Sequence, residues 1–400
     1  IGPSNAFGEF YFVRADTGVD RLVLQDNAHL DGYRIGMDDG IMMLDEYVVG
    51  DVLSGVYGPL HYSFDNWKVE QMTPLDVVTA TVLPTPPQFA PAAAAEFTTG
   101  AFNVLNFDGA DNPVKLDKIV DAIGAMGAPT FLSLEEITVV DTYHYFDNYT
   151  VTGVITDLIT ALAVDGHNYD YVYSHADAGG HGVAVLYDTD RVTLDGWSTL
   201  QGCSPDGSSS TTNYDPITCP PGEYPLSSRR PVVVTGTVSY DGIDSQIVFI
   251  GNHFKSKSGD GGNARRLGQA EMVADFVNGL GDVHVVVAGD LNDFVDSPPL
   301  AELYATGGLT NTFFTLPAHE RYSYIFNGMS QVLDHILVSD AANADLLEFT
   351  PLRMNADYPA NWEVDEMIPF SVSDHDPVVA RFSLPAGPKM LYLPIIMNTP

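Results

Sequence analysis

An acidic, amide-containing loop follows a strongly β-branched stretch of the chain, VHVVVAG at 283–289. The stretch predicts a buried strand, whose end would deliver Asp290, Asn292 and Asp293 into the loop. Carboxylates and amides placed in this way are able to bind a cation or to orient a water molecule. An ordinary turn closed by Asp and Asn is the alternative for this loop taken alone.

Three other apolar runs have the same layout, because each ends in an acid or a histidine. Their end residues are Glu136, His253 and the pair Asp374-His375. Four strand ends that converge on one face of a fold would bring these side chains together. The repeated layout therefore predicts one site and counts against the interpretation of residues 290–293 as a simple turn.

Two further segments carry oxygen ligands suited to a hard cation. Asn103 lies in the apolar run FNVLNF. Because a buried amide needs hydrogen-bond partners, we expect it to face a metal or a phosphate. The alternative is a structural Asn whose hydrogen bonds are all made within the protein. The run FLSLEEI ends in Glu135 and Glu136, which period-2 alternation sends to opposite faces. We expect Glu136 to face the site. Mg²⁺ commonly binds one or two protein carboxylates and keeps several waters, so this Glu with a nearby Asp or Asn would suffice.

Basic residues are concentrated around His253. A positioned imidazole is able to donate a hydrogen bond to a phosphate oxygen or to transfer a proton. The alternative is a structural His whose hydrogen bonds are made within the protein. Six of the 17 Lys and Arg residues lie in three short segments: Arg229, Arg230, Lys255, Lys257, Arg265 and Arg266. In so acidic a chain this concentration predicts a phosphate-binding surface with salt-dependent affinity, and exposed solubilising charge is the alternative.

The segments VLDHILV and SDHDPV each place an Asp directly before a His, at Asp334-His335 and Asp374-His375. A carboxylate that orients an imidazole fixes its tautomer and raises its basicity. The two segments therefore predict a general base or a donor that stabilises a transition state.

The chain has 400 residues, of which 45% are hydrophobic and 18% charged. It is therefore able to form the strands and helices that must position these groups. That length and composition allow two or three domains with large cores. The formal net charge of -36 repels polyanions at low ionic strength and indicates saline surroundings or bound cations. No signal peptide or membrane-spanning segment is visible in the sequence.

Cys203 and Cys219 bracket a loop rich in Ser, Thr, Gly and Pro. We expect a disulfide, which for a loop of this size stabilises by roughly 3 kcal/mol and implies an oxidising compartment. Two free thiols are the alternative.

Four regions follow from the patterning. Residues 1–80 alternate in short strands with Gly-rich turns, which predicts an all-β module. Residues 81–97 are rich in Pro and Ala and predict a semi-rigid linker. In residues 98–385 strands alternate with helical patterns near 114–126, 154–164 and 264–277, which predicts an α/β fold with a two-sheet β-sandwich flanked by helices. The apolar residues 386–400 form a C-terminal tail.

Together these motifs resemble the endonuclease/exonuclease/phosphatase superfamily, the fold of pancreatic deoxyribonuclease and of the abasic-site endonucleases. The resemblance runs from about Phe102 to Phe382, with five motifs in the family's order. The segments YSYIFNGMSQVLDHILVS and MNADYP look most like secreted bacterial endonucleases. In addition, GDVLSGVYGPLHYSFDNWKVEQ resembles the OB-like barrel that precedes the catalytic domain in many of them. Aromatics in that module at Tyr57, Tyr62, Phe64 and Trp67 are candidates for binding a single strand, with plain core packing as the alternative.

The resemblance implies a role for each motif residue. It implies metal binding by Asn103, Glu136 and Asp374, and orientation of water and phosphate by Asp290 and Asn292. It implies that His375 pairs with Asp334, that His253 contacts the scissile phosphate, and that Arg229 binds a neighbouring phosphate. The basic cluster adds Lys255, Lys257 and Arg265 as substrate contacts. The metal is expected to be Mg²⁺, with Mn²⁺ or Ca²⁺ as alternatives.

The sequence departs from the family pattern at two places. The abasic-site endonucleases carry an acid two positions after the first-strand Asn, where Leu105 stands here, so that a second metal would need another ligand such as Asp108. The family's phosphate-contacting Tyr has no clear counterpart, and His181 lies near its place.

The expected function is a secreted, metal-dependent nuclease that hydrolyses phosphodiester bonds of DNA, with RNA also considered, at low sequence preference. A water activated by the metal or oriented by Asp290 would attack in line, with no covalent intermediate. A monomer without a membrane partner is expected. Two alternatives stay open: a secreted phosphodiesterase or phosphatase acting on lipid or small phosphoesters, and a non-catalytic extracellular protein that binds Ca²⁺ on its acidic surface.

Overall fold

The computed structural model describes residues 10–13, 34–38, 49, 52–54, 60–63, 66–70, 76–80, 82–138, 152–174, 181–204, 219–257, 262–326 and 329–384. Its N-terminal strands are β1 (Phe10–Val13), β2 (Arg34–Asp38), β3 (Val52–Ser54), β4 (Leu60–Ser63), β5 (Asn66–Glu70) and β6 (Asp76–Thr79). They pair as a four-stranded sheet, β1-β2-β5-β4, and a two-stranded sheet, β3-β6. The aromatic candidates Tyr57 and Phe64, and the tail 386–400, lie outside the described residues. The OB-like barrel stays a prediction.

Residues from 96 onward form two six-stranded mixed sheets. The first has the order β21-β22-β7-β8-β10-β9. Its strands are β7 (Glu96–Phe107), β8 (Phe131–Thr138), β9 (Tyr169–Tyr173), β10 (His181–Asp188), β21 (Leu346–Pro351) and β22 (Val378–Ser383). The second has the order β11-β14-β15-β16-β20-β17. Its strands are β11 (Val192–Thr199), β14 (Val232–Tyr240), β15 (Ile243–His253), β16 (His284–Asp290), β17 (Leu309–Asn311) and β20 (Asp334–Ser339).

Helices and short hairpins complete the described architecture. The helices are α1 (Pro113–Ala125), α2 (Thr152–Val164), α3 (Gly262–Leu280), α4 (Pro298–Ala305) and α5 (Asp340–Ala344). The hairpins join β12 (Cys203–Ser204) to β13 (Tyr224–Pro225) and β18 (Tyr324–Phe326) to β19 (Met329–Gln331). The three helices expected from the sequence correspond to α1, α2 and α3. Among the described residues, no helix is long and apolar enough to span a bilayer.

Three apolar cores hold the layers together. One lies between the two sheets, a second joins the first sheet to α1 and α2, and a third joins the second sheet to α3 and α4. Strand β16 shows how alternation builds them, because Val286 and Ala288 enter the core between the sheets while Val285 and Val287 face α3. The predicted α/β fold, two mixed sheets flanked by helices, is confirmed.

The strand directions bring the chemistry-bearing ends to one edge of the sandwich. Strand β7 runs parallel to β8, and β15 runs parallel to β16, so the carboxyl ends of each pair lie together. Strand β20 is antiparallel to β16, and its first residue, Asp334, lies opposite Asp290. Residues far apart in the sequence therefore reach one place because of the topology.

The backbone departs from regular strand geometry at this edge. Leu105, Asn106 and Glu136 have φ values of 48°, 52° and 60°, and the β7–β8 register shifts between Asn103 and Phe107. Left-handed φ is uncommon outside glycine, and in these positions it re-aims side chains at the sheet edge. Gly289 has φ of 133°, and a Cβ there would lie 2.0 Å from the carbonyl oxygen of Asn252. Only glycine allows β15 and β16 to approach so closely.

Residues 82–93 of the Pro-rich segment form neither helix nor strand, and they pack on the sandwich. Phe89 is buried, and its backbone N–H donates to the carbonyl of Ala125 over 2.7 Å. Arg191 and Arg381 donate to linker carbonyl groups, among them those of Ala92 and Ala90. The guanidinium groups thus fix the entry of the chain into β7.

Cys203 and Cys219 form a disulfide with Cα atoms 5.6 Å apart, as expected from the sequence. The bond lies beside the β12–β13 hairpin. Next to the hairpin, the side chain of Gln201 accepts from the Ser227 N–H and donates to the Ser227 carbonyl. These contacts connect the disulfide region to the segment that carries Arg229.

Candidate active site

Asn103 joins the two sheets at the edge where the strand ends meet. Its Nδ2 donates to Glu136 Oε1 and to Asp290 Oδ2, each over 3.2 Å. The amide is buried, and its Oδ1 accepts from the backbone N–H of Leu105 over 3.0 Å. The buried amide of the first strand therefore has partners, and they are two of the carboxylates singled out in the sequence.

Asp290 is held from several directions. Asn292, with φ of 51°, donates its backbone N–H to Oδ1 over 2.8 Å and its Nδ2 to Oδ2 over 3.0 Å. His253 Nε2 lies 3.5 Å from the same Oδ2. Burial raises the pKa of Asp290 to about 7; Asp334 adds to the rise and His375 opposes it. The carboxyl is thus able to exchange a proton near neutral pH.

His375 and Asp334 form a buried pair in which Nδ1 and Oδ2 are 2.8 Å apart. Burial alone would lower the pKa of His375, but the negative charges of Asp334 and Asp374 outweigh it and raise the pKa well above its ordinary value. The imidazole is therefore a cation at neutral pH. Its Nε2 lies 3.9 Å from Asp374 Oδ1.

The main chain around His375 is fixed by neighbouring polar side chains. Ser373 Oγ donates to the carbonyl of Asn103 over 2.7 Å and accepts from the His375 N–H over 3.1 Å. Asn355 Nδ2 donates to the His375 carbonyl over 2.7 Å. The second acid of SDHDP, Asp376, accepts the backbone N–H groups of Met354, Asn355 and Ala356, so its role is to shape the loop.

His253 is buried and lies between Asp290 and the basic segments. Burial lowers the pKa of His253 well below its ordinary value, and the positive charge of Arg229 adds to the effect. The ring is therefore neutral beside a cationic His375. Two imidazoles in different charge states face the same carboxylate.

The donor set at this edge fits a divalent cation. Asp290 and Asp334 each offer a carboxylate oxygen, and these oxygens lie within 4.8 Å of each other and of a ring nitrogen of His375. Asp334 Oδ1 and Asp374 Oδ1 are buried without a hydrogen-bond partner among the described residues. Buried carboxylate oxygens of this kind are stabilised by a cation. Glu136 adds a further carboxylate through its contact with Asn103.

The predicted substrate-binding residues have different environments. Arg229 donates to the carbonyl of Phe254 over 2.7 Å, and Lys255 is half-buried with Nζ 2.9 Å from Ser256 Oγ. Lys257 Nζ lies 2.8 Å from Asp293 Oδ1 and 3.8 Å from the Phe294 ring centroid. Arg265 is only 1% exposed. Lys257 and Arg265 therefore gain no support as substrate contacts from the geometry.

His181 and Asp108, the residues considered as substitutes where the sequence departs from the family pattern, lie outside the hydrogen-bonded centre of the site. His181 Nε2 contacts Asn106 Oδ1 at the β7 bulge. Asp108 has a buried Oδ1 without a hydrogen-bond partner in the described structure. A role for either residue stays a prediction.

Sequence reasoning missed Tyr324, gave Glu135 no role, and counted His335 among the candidate bases and donors. Tyr324 packs against the His375 ring with centroids 4.6 Å apart. Glu135 is fully buried beside Ser133, and burial raises its pKa well above the ordinary value. His335 is structural, because Asn311 lies at its Nδ1 and the Asp293 carbonyl at its Nε2. The alternating YSY segment was the one available signal for Tyr324.

Comparison with known proteins agrees with the fold described above. The model of the Endonuclease/Exonuclease/phosphatase family matches residues 100–375. The solved endonuclease/exonuclease/phosphatase from Bacteroides vulgatus is 14% identical, covers 72% of this chain and 99% of its own, and has a TM-score of 0.50.

Two other similar structures have names that mention substrates. D. rerio TDP2 complexed with single strand DNA product is 13% identical over 72% of this chain and 99% of its own, with a TM-score of 0.48. The mannosyl-6-phosphatase from Bacteroides thetaiotaomicron is 16% identical over 71% and 98%, with a TM-score of 0.45. At these identities the similarity shows the fold alone. No curated relative matches the sequence.

Proposed function

The chain belongs to the endonuclease/exonuclease/phosphatase family, whose members hydrolyse phosphoester bonds, and from that membership we propose a secreted, divalent-metal-dependent nuclease that cleaves DNA with low sequence preference. The observation that carries the proposal is the contact of Asn103 with both Glu136 and Asp290. It joins acids of the two sheets in one centre. Arg229 and Lys255, on the chain segments next to that centre, support a polyanionic substrate.

In the proposed mechanism Asp290 orients and deprotonates the attacking water. Asn292 engages both of its oxygens, so the carboxylate has a fixed direction. A base works best when its pKa is near the working pH, and that of Asp290 is about 7. In the proposed reaction the water attacks phosphorus in line and the products carry 5′-phosphate and 3′-hydroxyl ends.

In the proposed mechanism His375 stabilises the charge that develops on phosphate. Its Nδ1 is engaged by Asp334, which leaves Nε2 as the donor. A charged donor held in advance stabilises a transition state more than the ground state. The neutral His253 adds a hydrogen bond to a phosphate oxygen without adding charge.

Asn103, Glu136 and Asp374 would hold the cation, most simply Mg²⁺. A bound divalent cation supplies Lewis-acid polarisation of a phosphoryl oxygen. Glu136 provides a carboxylate, whose direction is fixed by the hydrogen bond from Asn103. The buried oxygen of Asp374 is a further ligand atom for the cation. Mn²⁺ or Ca²⁺ would meet the same oxygen ligands.

Secretion, monomeric state and domain organisation are parts of the same proposal. The Cys203–Cys219 disulfide and the net charge of -36 support an extracellular, saline setting. The monomeric state is proposed without a structural observation of its own. We also propose a catalytic domain at 98–385, after an OB-like module at 1–80 and a linker at 81–97.

Metal removal tests the proposed function. We expect wild-type protein to nick supercoiled plasmid in MgCl₂, to lose the activity in EDTA, and to regain it when Mg²⁺ or Mn²⁺ is added in excess. The reason is that Glu136 and Asn103 need a cation to engage phosphate. A NaCl series should lower the affinity for DNA as salt rises, because counterion release contributes to binding.

The measurement is the conversion of supercoiled to open-circular DNA on a gel, with Glu271→Gln, an exposed acid on α3, as the matched charge control. Nicking that persists in EDTA would overturn the metal requirement. Hydrolysis of sphingomyelin or small phosphoesters without any nicking would overturn the choice of DNA.

A further inference from the structure

An aromatic series leads from the proposed catalytic centre to the protein surface. The Tyr324 ring packs against His375 with centroids 4.6 Å apart and planes at 33°. The Phe326 ring is nearly parallel to Tyr324, with centroids 6.5 Å apart and planes at 12°. Phe326 is 45% exposed. A flat apolar surface therefore begins at the catalytic His and ends in solvent.

The β18–β19 hairpin holds these rings in position. Tyr324 and Phe326 are two residues apart on β18, so alternation places them on the same face. Tyr324 pairs with Gln331 across the hairpin and forms an isolated bridge with His375. The N–H of Asp376 donates to the carbonyl of Ser323 over 2.7 Å. The series is thus tied by backbone contacts to the segment that carries His375.

A second exposed phenylalanine shows what an ordinary surface ring looks like here. Phe314 is also 45% exposed, but Arg321 lies over its ring at 5.5 Å and Tyr304 meets it edge-on at 5.8 Å. Its faces are occupied by neighbours of its own fold region. Phe326 instead continues a series whose other members are at the centre of the site.

The chemistry around the series selects the part of a nucleotide that it can accept. Burial raises the pKa of Tyr324, and the nearby carboxylates of Asp374 and Asp290 raise it further, so the phenol is neutral at all ordinary pH values. The faces of the Tyr324 and Phe326 rings carry no formal charge with which to bind a phosphate. A nucleobase is flat and uncharged and stacks on aromatic rings.

We propose that Phe326, backed by Tyr324, is a stacking subsite for the unpaired base of the nucleotide next to the cleaved phosphodiester. The subsite rests on the proposed nuclease function and adds a preference to it. A base inside a duplex has both faces covered by its neighbours, so it must leave the stack to reach Phe326. Single-stranded or frayed DNA is then the preferred substrate over intact duplex.

The test uses single-stranded oligonucleotides in which every linkage except one is protected from hydrolysis. The nucleotide on each side of that linkage carries either a base or an abasic sugar. Phe326→Leu keeps an apolar side chain but removes the aromatic face, and Phe326→Trp restores one. Phe314→Leu is the matched control because the two rings have equal exposure.

We expect Phe326→Leu to raise KM for the oligonucleotide roughly 5- to 100-fold, the range for loss of one stacked base, with kcat changed by less than about twofold. Phe326→Trp should recover wild-type KM, and Phe314→Leu should not change it. Removing the base on one particular side of the cleaved bond should raise the wild-type KM and abolish the difference between wild type and Phe326→Leu.

Two results would overturn the subsite and leave the nuclease function standing. One is an unchanged KM in Phe326→Leu, and the other is an equal loss on base-containing and abasic substrates. A loss seen with sphingomyelin vesicles and not with oligonucleotides would assign the surface to lipid and overturn the base. A wild-type protein that cleaves no oligonucleotide would overturn the proposed function and the subsite with it.

Discussion

Asp290→Asn is expected to lower the initial rate of plasmid nicking by roughly 10³-fold or more. The amide keeps the size of the side chain but cannot accept the proton of the attacking water. It also disturbs the centre, because Asn103 Nδ2 and Asn292 Nδ2 both donate to Asp290 Oδ2. One of these donors would meet an NH₂ group if the new amide pointed that way.

The measurement is an initial rate under excess enzyme, so that a change in substrate affinity does not hide a change in chemistry. Glu271→Gln removes one negative charge from an exposed position on α3 and should leave the rate within about twofold. Thermal unfolding of both variants separates lost chemistry from lost structure. A folded Asp290→Asn protein with more than a tenth of the wild-type rate would remove Asp290 from the mechanism.

The second large effect is expected at the buried pair of Asp334 and His375. Asp334→Asn and His375→Ala should each lower the nicking rate roughly 10²- to 10³-fold, and the double variant should be little worse than His375→Ala alone. The reason is that Asp334 acts through the imidazole it holds at 2.8 Å. Residues that act as one unit give effects that do not add.

The pH profile gives this pair a signature of its own. The negative charge of Asp334 raises the pKa of His375, so removing it lowers that pKa. The imidazolium is lost as pH rises through the pKa, and in Asp334→Asn the alkaline fall in activity should therefore begin at lower pH. An additive double variant, or an unmoved alkaline limb, would contradict the pairing.

A matched His–Asp pair at the other end of β16 provides the control. His284 Nε2 and Asp345 Oδ2 are also 2.8 Å apart, but they lie away from the site, at the strand's beginning. Asp345→Asn should lower the melting temperature slightly and leave the nicking rate unchanged. That outcome would show that the loss in Asp334→Asn comes from the position of the pair rather than from breaking a His–Asp contact as such.

The positions of the candidate site residues were predictable because acids, amides and histidines lie in or directly after apolar runs of the sequence. From the sequence, Glu136, His253, Asp290 and His375 were placed at strand ends and Asn103 within a strand. The structure brings them to one edge, but His375 precedes β22 (Val378–Ser383) instead of ending a strand. The sandwich explains this outcome, since two parallel strand pairs contribute their carboxyl ends to the same side. Their roles stay predictions until the variants are measured.

Backbone detail was less predictable. Alternation places Glu135 and Glu136 on opposite faces, and Glu136 does contact Asn103. However, Glu136 has φ of 60°, and the β8–β10 register shifts between Gly182 and Val183. Such a bulge depends on the partner strand, which period-2 reasoning within one strand does not include.

Charge clusters were the least reliable guide. The Lys and Arg residues near His253 were interpreted together as a phosphate surface, yet Asp293 engages both Lys257 and Arg266. Arg265 is buried within the fold. A sequence shows how many charges a segment carries, but it does not show which of them a nearby carboxylate already neutralises, as Asp293 does here.

The most direct test of the account is an anomalous difference map from crystals of the protein soaked in Mn²⁺. The account predicts a peak within bonding distance of a Glu136 carboxylate oxygen, beside Asn103 and Asp290, that disappears in Glu136→Gln. Manganese bound only to acids elsewhere on the surface, with no density at this edge of the two sheets, would contradict it.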